Sequence, residues 1–166
     1  SNLKALIIKS DELVGDLSSI ERYTEIEYVD ISSPLITGVI PNFDKNPNLE
    51  ELFLEGDFFG SLPNFQKTKN LITLDISAPN ITGILPAFDK IPILQKIRVS
   101  GTQVNGKVPS LDFFPALRNV DLSDNNLSGS IPDFTKQTKI ETINLSTNNF
   151  TGSIPHFTHA TLEEII

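Results

Sequence analysis

Residues 117–134 read LRNVDLSDNNLSGSIPDF, a frame of the form L-x-x-V-x-L-x-x-N-x-L-x-G-x-I-P-x-F. The same frame returns along the whole chain. Its glycine recurs as Gly15, Gly38, Gly60, Gly83, Gly106, Gly129 and Gly152, at steps of 23, 22, 23, 23, 23 and 23 residues. A fixed period of this length marks a repeat architecture, in which each unit buries its apolar face against its neighbours. The domain is therefore counted in repeats: about seven of 22–23 residues, with Leu162 and Ile165 opening a partial eighth, over residues 1–166.

Each part of the frame has a physical task. The alternation in L-x-L sends successive side chains to opposite faces, which makes a short strand with apolar residues inward. Stacked repeats place these strands side by side in a parallel sheet about 4.8 Å apart. Parallel pairing needs a crossover, and the remainder of each repeat supplies it. The recurring proline has no N–H and cannot sit inside a ladder. Phe43, Phe65, Phe88, Phe134 and Phe157, with Leu111 standing in once, form a column expected to fill the convex side of the core. Pro47, Pro92 and Pro115 fall just before the next strand, so irregular or 3₁₀ turns are expected there, with little α-helix. Second short strands are expected near Ile36-Thr37, Ile81-Thr82, Leu127-Ser128 and Phe150-Thr151. The third repeat is one residue short, and the frame places the gap between Phe59 and Gly60.

The runs Asn125–Pro132 and Asn148–Pro155, both N-x-L/F-x-G-x-I-P, resemble the plant-type leucine-rich repeat of receptor-kinase ectodomains and polygalacturonase-inhibiting proteins. The likeness covers nearly the whole chain. It implies an α/β repeat solenoid, a right-handed superhelix with a concave parallel β-sheet and a mostly irregular convex side. It also implies an extracellular or cell-surface recognition module, whose partners bind the concave or lateral sheet. Bacterial and protist surface proteins with such repeats fit the same pattern. Asparagine stands at its repeat position only at Asn125 and Asn148; Asp11, Pro34, Asp57, Pro79 and Thr102 stand there otherwise, so the family's asparagine ladder is incomplete. The cysteine-paired caps of the family are missing.

Composition narrows the function further. Cysteine is absent, which removes disulfides, thiol catalysis and cysteine metal sites. Methionine is absent too, so a mature or excised piece of a longer protein is expected. A net charge of −8 disfavours a nucleic-acid or anionic-membrane partner. No apolar run is long enough to span a bilayer. The charge is uneven: residues 1–83 hold 13 acids and 6 bases (−7), residues 84–166 hold 8 acids and 7 bases (−1). Ser123-Asp124-Asn125 matches an element of penicillin-binding enzymes, but no S-x-x-K accompanies it and it lies within the repeat frame. His156 and His159 read as a surface pair rather than metal ligands. Nothing calls for a cofactor, and no enzyme is expected.

The concave face carries the candidate site. Its middle column is Ile7, Asp30, Phe53, Asp75, Arg98, Asp121, Asn144, and the column before it Ala5, Tyr28, Glu51, Thr73, Lys96, Asn119, Thr142. Tyr28 and Phe53 are large apolar groups directed to solvent, and aromatics and arginine are over-represented at binding hot spots. Phe53 lies among Asp30, Glu51 and Glu55, which suits a cationic ligand with an apolar part. Lys96, Arg98 and Arg118 form the basic cluster of the sheet. Tyr28, Phe53, Asp75, Arg98 and Asp121 are thus the candidate ligand-binding residues, for a protein, peptide or polysaccharide. The alternatives are a structural or adhesive spacer and an inhibitor of a secreted hydrolase. Four N-x-[ST] triplets occur, at Asn80, Asn126, Asn144 and Asn149; Asn80 is the candidate glycosylation site. Neither end shows a polar cap, so neighbouring repeats or end-to-end association are expected.

Overall fold

The computed structural model describes residues 2–166. Twelve strands follow in order: β1 (Ala5–Lys9), β2 (Tyr28–Val39), β3 (Glu51–Ser61), β4 (Thr73–Ser77), β5 (Asn80–Thr82), β6 (Lys96–Ser100), β7 (Asn105–Gly106), β8 (Asn119–Asp121), β9 (Asn126–Gly129), β10 (Thr142–Asn144), β11 (Asn149–Phe150) and β12 (Glu164–Ile165). Among the described residues the one helical piece is a 3₁₀ turn at Ile20–Arg22. The strands β1-β2-β3-β4-β6-β8-β10-β12 lie side by side in that order, all parallel. One strand per repeat in sequence order makes the fold a leucine-rich repeat solenoid.

The crossovers are built from tight turns. After Phe43, Phe65, Phe88, Leu111 and Phe134, two i→i+3 backbone bonds follow in tandem, as in Asn46 N to Phe43 O (3.0 Å) and Leu49 N to Asn46 O (3.2 Å). Phe43, Phe65, Phe88 and Phe134 are 0–2% exposed, and each holds a left-handed backbone with φ between 52° and 56°. Phe43, Phe65 and Phe88 stack at 6.1 Å between successive ring centres. Phe157 is half-buried, 6.2 Å from Phe134. One repeat shows the core: Leu71, Leu74, Ile76, Ile81, Leu85 and Phe88 are all 0–3% exposed. Burying each such side chain contributes roughly 1.5–3 kcal/mol, and the stack as a whole offsets the ordering entropy of every repeat.

Two buried side chains tie neighbouring crossovers together. Asn46 Nδ2 donates to Tyr23 O (2.9 Å), and Gln137 Nε2 donates to Leu111 O (2.6 Å). His159 continues the series: its Nε2 lies 2.8 Å from Phe134 O. This corrects the surface-pair reading of the histidines. His156 is exposed, but His159 is half-buried and joins one repeat to the previous one.

The second short strands exist, but unevenly. In repeats two and three they fuse with the first, giving β2 of 12 and β3 of 11 residues. They are separate as β5, β7, β9 and β11, and form a lateral row with the far ends of β2 and β3. The gap of the third repeat lies elsewhere than the frame placed it. Phe58, not Phe59, enters the core at 0% exposure, and Phe59 is 49% exposed. Residues 28–33 pair with 51–56, then 37–39 with 57–59, so residues 34–36 bulge opposite the shortened segment. The missing residue pulls two backbones together at Gly56. A Cβ there would meet Ser33 O at 2.9 Å, Ile36 O at 3.0 Å and Phe58 Cε2 at 3.1 Å. Glycine is required by space here, not by dihedral angle.

Candidate functional site

Strand register sets the site. Asp30, Phe53, Asp75, Arg98 and Asp121 are direct Cα partners across β2, β3, β4, β6 and β8, so they form one outward column. Tyr28 is two residues before Asp30 on the same face, and its register partner is Glu51. The inward neighbours Val29, Leu52, Leu74, Ile97 and Val120 are 0–1% exposed, which fixes the outward direction of the column between them.

The two aromatics are half-buried rather than freely solvated. Their ring centres lie 5.7 Å apart at an interplanar angle of 41°, a tilted contact of the kind aromatic pairs prefer. Burial pushes the Tyr28 phenol up from its ordinary pKa, and the nearby Asp30 and Glu51 carboxylates push it the same way. Lys96 Nζ sits over Phe53, 5.7 Å from the ring centre. A cation at this distance is attracted by the ring's negative face.

The charged residues of the column pair with one another. Arg98 donates through Nη1 to Asp75 Oδ1 (3.0 Å) and through Nε to Asp121 Oδ2 (3.3 Å). Lys96 Nζ donates to Asp75 Oδ2 (3.0 Å). Asp121 Oδ1 accepts from the Ser123 hydroxyl (2.6 Å) and amide (3.0 Å). Asn144 Oδ1 repeats that motif with Ser146. Burial works against the Arg98 charge, but the bonds from Asp75 and Asp121 outweigh it and hold its pKa above the ordinary value. Arg118 pairs with Glu141, and Lys9 with Asp30 at 2.8 Å. The basic cluster expected at Lys96, Arg98 and Arg118 is therefore neutralised within the sheet.

Two hollows flank Arg98. One, of about 510 Å³, is lined by Lys9, Tyr28, Asp30, Phe53, Glu55, Asp75 and Arg98 among others. The other, of about 550 Å³, is lined by Lys96, Arg98, Asn119, Asp121, Thr142 and Asn144 among others. Four of the five candidate residues thus share the first hollow, and Asp121 lies in the second across Arg98. Sequence reasoning missed two partners. Lys9 closes over Asp30 from the neighbouring strand, and Lys96 reaches Phe53 from two strands away. Both contacts are diagonal to the register, which sets Lys9 opposite Ser32, and neither has a signature in the repeat frame. Asn80 is exposed on the lateral row, where its Nδ2 donates to Asp57 Oδ1 (2.6 Å).

The Leucine Rich Repeat family matches residues 116–137 and 139–159, the two repeats that keep the asparagine. No curated protein matches the chain by sequence. Solved structures do match. The Arabidopsis receptor kinase HAESA, in complex with the peptide hormone IDA and the co-receptor SERK1, is 29% identical with a TM-score of 0.84 over 92% of this chain and 27% of that one. A TDR receptor is 28% identical with a TM-score of 0.85, covering 92% and 28%. PEPR1, in the complex PEPR1–AtPEP1, is 27% identical with a TM-score of 0.85, covering 92% and 22%. The chain thus spans about a quarter of the length of these receptor chains. In its repeats and its fold the chain is thus similar to plant receptor ectodomains.

Proposed function

We propose that this chain is a non-enzymatic recognition module at the cell surface or outside the cell, which binds a peptide or protein through its concave sheet. The contact residues on this reading are Tyr28, Phe53, Asp75, Arg98 and Asp121. The observation that carries it is the Tyr28–Phe53 pair, two adjoining aromatics at the edge of a hollow on a face whose central strands otherwise carry polar and charged groups. Half-buried, touching rings lose little conformational entropy when a ligand covers them, which is why such residues dominate binding energies. The peptide hormone bound by the similar receptor HAESA supports the same class of ligand. Among the described residues no helix is long and apolar enough to cross a membrane.

The test is a cross-linking capture from a native secreted or surface fraction. The bait is this chain, beside a Tyr28→Ala/Phe53→Ala variant shown to melt at a similar temperature. A partner held by the first and lost by the second supports the reading. Equal capture, or none, favours a structural or adhesive spacer. One observation already leans that way: Asp75, Arg98 and Asp121 satisfy one another, as a purely structural cross-strand ladder would. Glycosylation at the exposed Asn80 belongs to the same extracellular reading. After expression in a secreting eukaryotic host, an intact mass unchanged by glycosidase would refute it.

A further inference from the structure

We propose that the hollow beside Tyr28 and Phe53 takes a basic side chain, an arginine or lysine of an extended peptide, laid against the aromatic pair with its charge at Glu55 and in the field of Glu51 on the same face of β3. The inference rests on the concave-face reading above and specifies its ligand.

The charge pattern of the sheet is the first ground. Glu51, Phe53 and Glu55 alternate along β3 and so share the outward face. On the other central strands every outward carboxylate has a cation: Asp30 has Lys9, Asp75 has Lys96 and Arg98, and Asp121 has Arg98. Glu51 and Glu55 have none within 4 Å among the described residues. Glu55 accepts only the Ser32 hydroxyl, at 2.8 Å. Among the central strands the negative charge left over is therefore concentrated on one, on either side of one aromatic ring.

The second ground is what the ring already does. Lys96 comes from β6, lies 5.7 Å from the Phe53 ring centre, and is held there by Asp75 at 3.0 Å. A cation over the ring with a carboxylate behind it is an arrangement the chain makes with itself. Tyr28 flanks Phe53 from β2, the opposite side of β3. There the rings and the carboxylate Glu55 line the hollow, and Glu55 lacks a cation. An arginine or lysine stem would cover the rings while its charge met the carboxylates. An acidic residue would meet like charge from both glutamates. A metal ion is a poor fit, since no group of three or more ligating side chains able to hold one occurs among the described residues.

Selection from a random peptide display library on the full chain tests this. Peptides that lose binding on Tyr28→Ala/Phe53→Ala are sequenced, and their affinities are measured on the parent and on Glu51→Gln/Glu55→Gln. The expected result is enrichment in arginine or lysine. Affinity should fall roughly fivefold to tenfold on the double glutamine variant, the scale of two partly exposed ion pairs. Replacing the basic residue by glutamine should weaken binding to the parent by more than that factor, and weaken binding to the variant clearly less than to the parent. Peptides that need Tyr28 and Phe53 but carry no basic enrichment, or ignore Glu51→Gln/Glu55→Gln, overturn this proposal and leave the concave-face reading standing. An empty selection, or peptides indifferent to the aromatics, overturns both.

Discussion

At Phe43, Phe65, Phe88 and Phe134 a bulky side chain sits on a left-handed backbone, with φ of 52–56°. An L-residue gives up roughly 1–2 kcal/mol there. The buried ring outweighs that, since deleting a buried phenylalanine costs roughly 3–5 kcal/mol. The two terms separate experimentally at Phe65, which is 0% exposed with φ 53°. Phe65→Ala loses the ring and keeps the strain; Phe65→Gly loses both. We expect the glycine variant to be about 1 kcal/mol more stable than the alanine variant, the reverse of the usual order in strands and helices. Chemical denaturation showing alanine ahead would refute the strain. A second prediction concerns Tyr28. Burial, then Asp30 and Glu51, raises its pKa above 10.0, so the fold disfavours the phenolate. Below that value both folded and unfolded chains keep the proton. As pH rises through the folded pKa the unfolded chain ionises first and stability is lost. Tyr28→Phe should therefore lose less melting temperature than the parent between about pH 9 and about pH 11. Equal losses would show that the Tyr28 environment is wrongly described. The sequence showed that the phenylalanine column is buried, because its spacing repeats. It could not show the dihedral, because phenylalanine is not a residue type that announces a positive φ. Nor could it choose between Phe58 and Phe59, two identical side chains whose order is decided by packing beside Gly56.

Elements of the same length in sequence are of different lengths in space, and the asparagine position accounts for part of this; with Pro79 and Thr102 there, β4 and β6 still stop after five residues. In repeats six and seven the turn after the concave strand is closed by asparagine. Asn125 Nδ2 donates to Val99 O (2.7 Å), Leu122 O (3.0 Å) and Ser123 O (3.0 Å), and its Oδ1 accepts from Thr102. Asn148 repeats the pattern onto Leu122 O, Leu145 O and Ser146 O. The residues before them, Asp124 and Thr147, are left-handed at φ 54° and 53°, so the strand stops. Pro34 and Asp57 stand at this position in repeats two and three, no such knot forms, and β2 and β3 run on for 12 and 11 residues. The departures from the asparagine pattern were visible in the sequence. Their consequence was not, because a uniform frame gives every repeat the same strand length. Asn125→Ala should destabilise by about 2–3 kcal/mol, the scale of leaving several buried carbonyls unpaired. Urea melts would read it, and a loss under about 0.5 kcal/mol would mean water replaces the amide without penalty. The candidate site has the same mixed legacy. The outward column was read correctly from period two alone, and the register confirms it strand by strand. The pairing of Arg98 with both aspartates was not, because opposite charges one repeat apart look the same in sequence whether they bind a ligand or each other.

Across the whole molecule, strand pairing runs between successive repeats, so stability is expected to follow a nearest-neighbour pattern rather than a single global core. The burial of the strands already grades along the chain. Val29, Leu52, Leu74 and Ile97 are 0–1% exposed, while Leu6 and Ile8 are half-buried and Ile165 and Ile166 are 48% and 57% exposed. β12 holds two residues, both exposed, against five in β4 and β6. A repeat with one packed interface opens at the expense of one set of contacts, whereas a central repeat must break two. Native-state hydrogen exchange should therefore be slowest for amides of β3, β4 and β6, intermediate at β1, and fastest at β11 and β12. Leu74→Ala, at a fully buried site, should cost about 3 kcal/mol and lower protection in the neighbouring strands as well. Leu162→Ala, at a half-buried one, should change only the last repeats. Uniform protection from β1 to β12, or a Leu162→Ala effect that reaches β4, would show one cooperative unit and overturn the nearest-neighbour account. The aromatic hollow is lined mainly by β2, β3 and β4, strands whose inward residues Val29, Leu52 and Leu74 are fully buried. A ligand there would meet a surface already ordered, so little of its binding energy would go into arranging Tyr28 and Phe53.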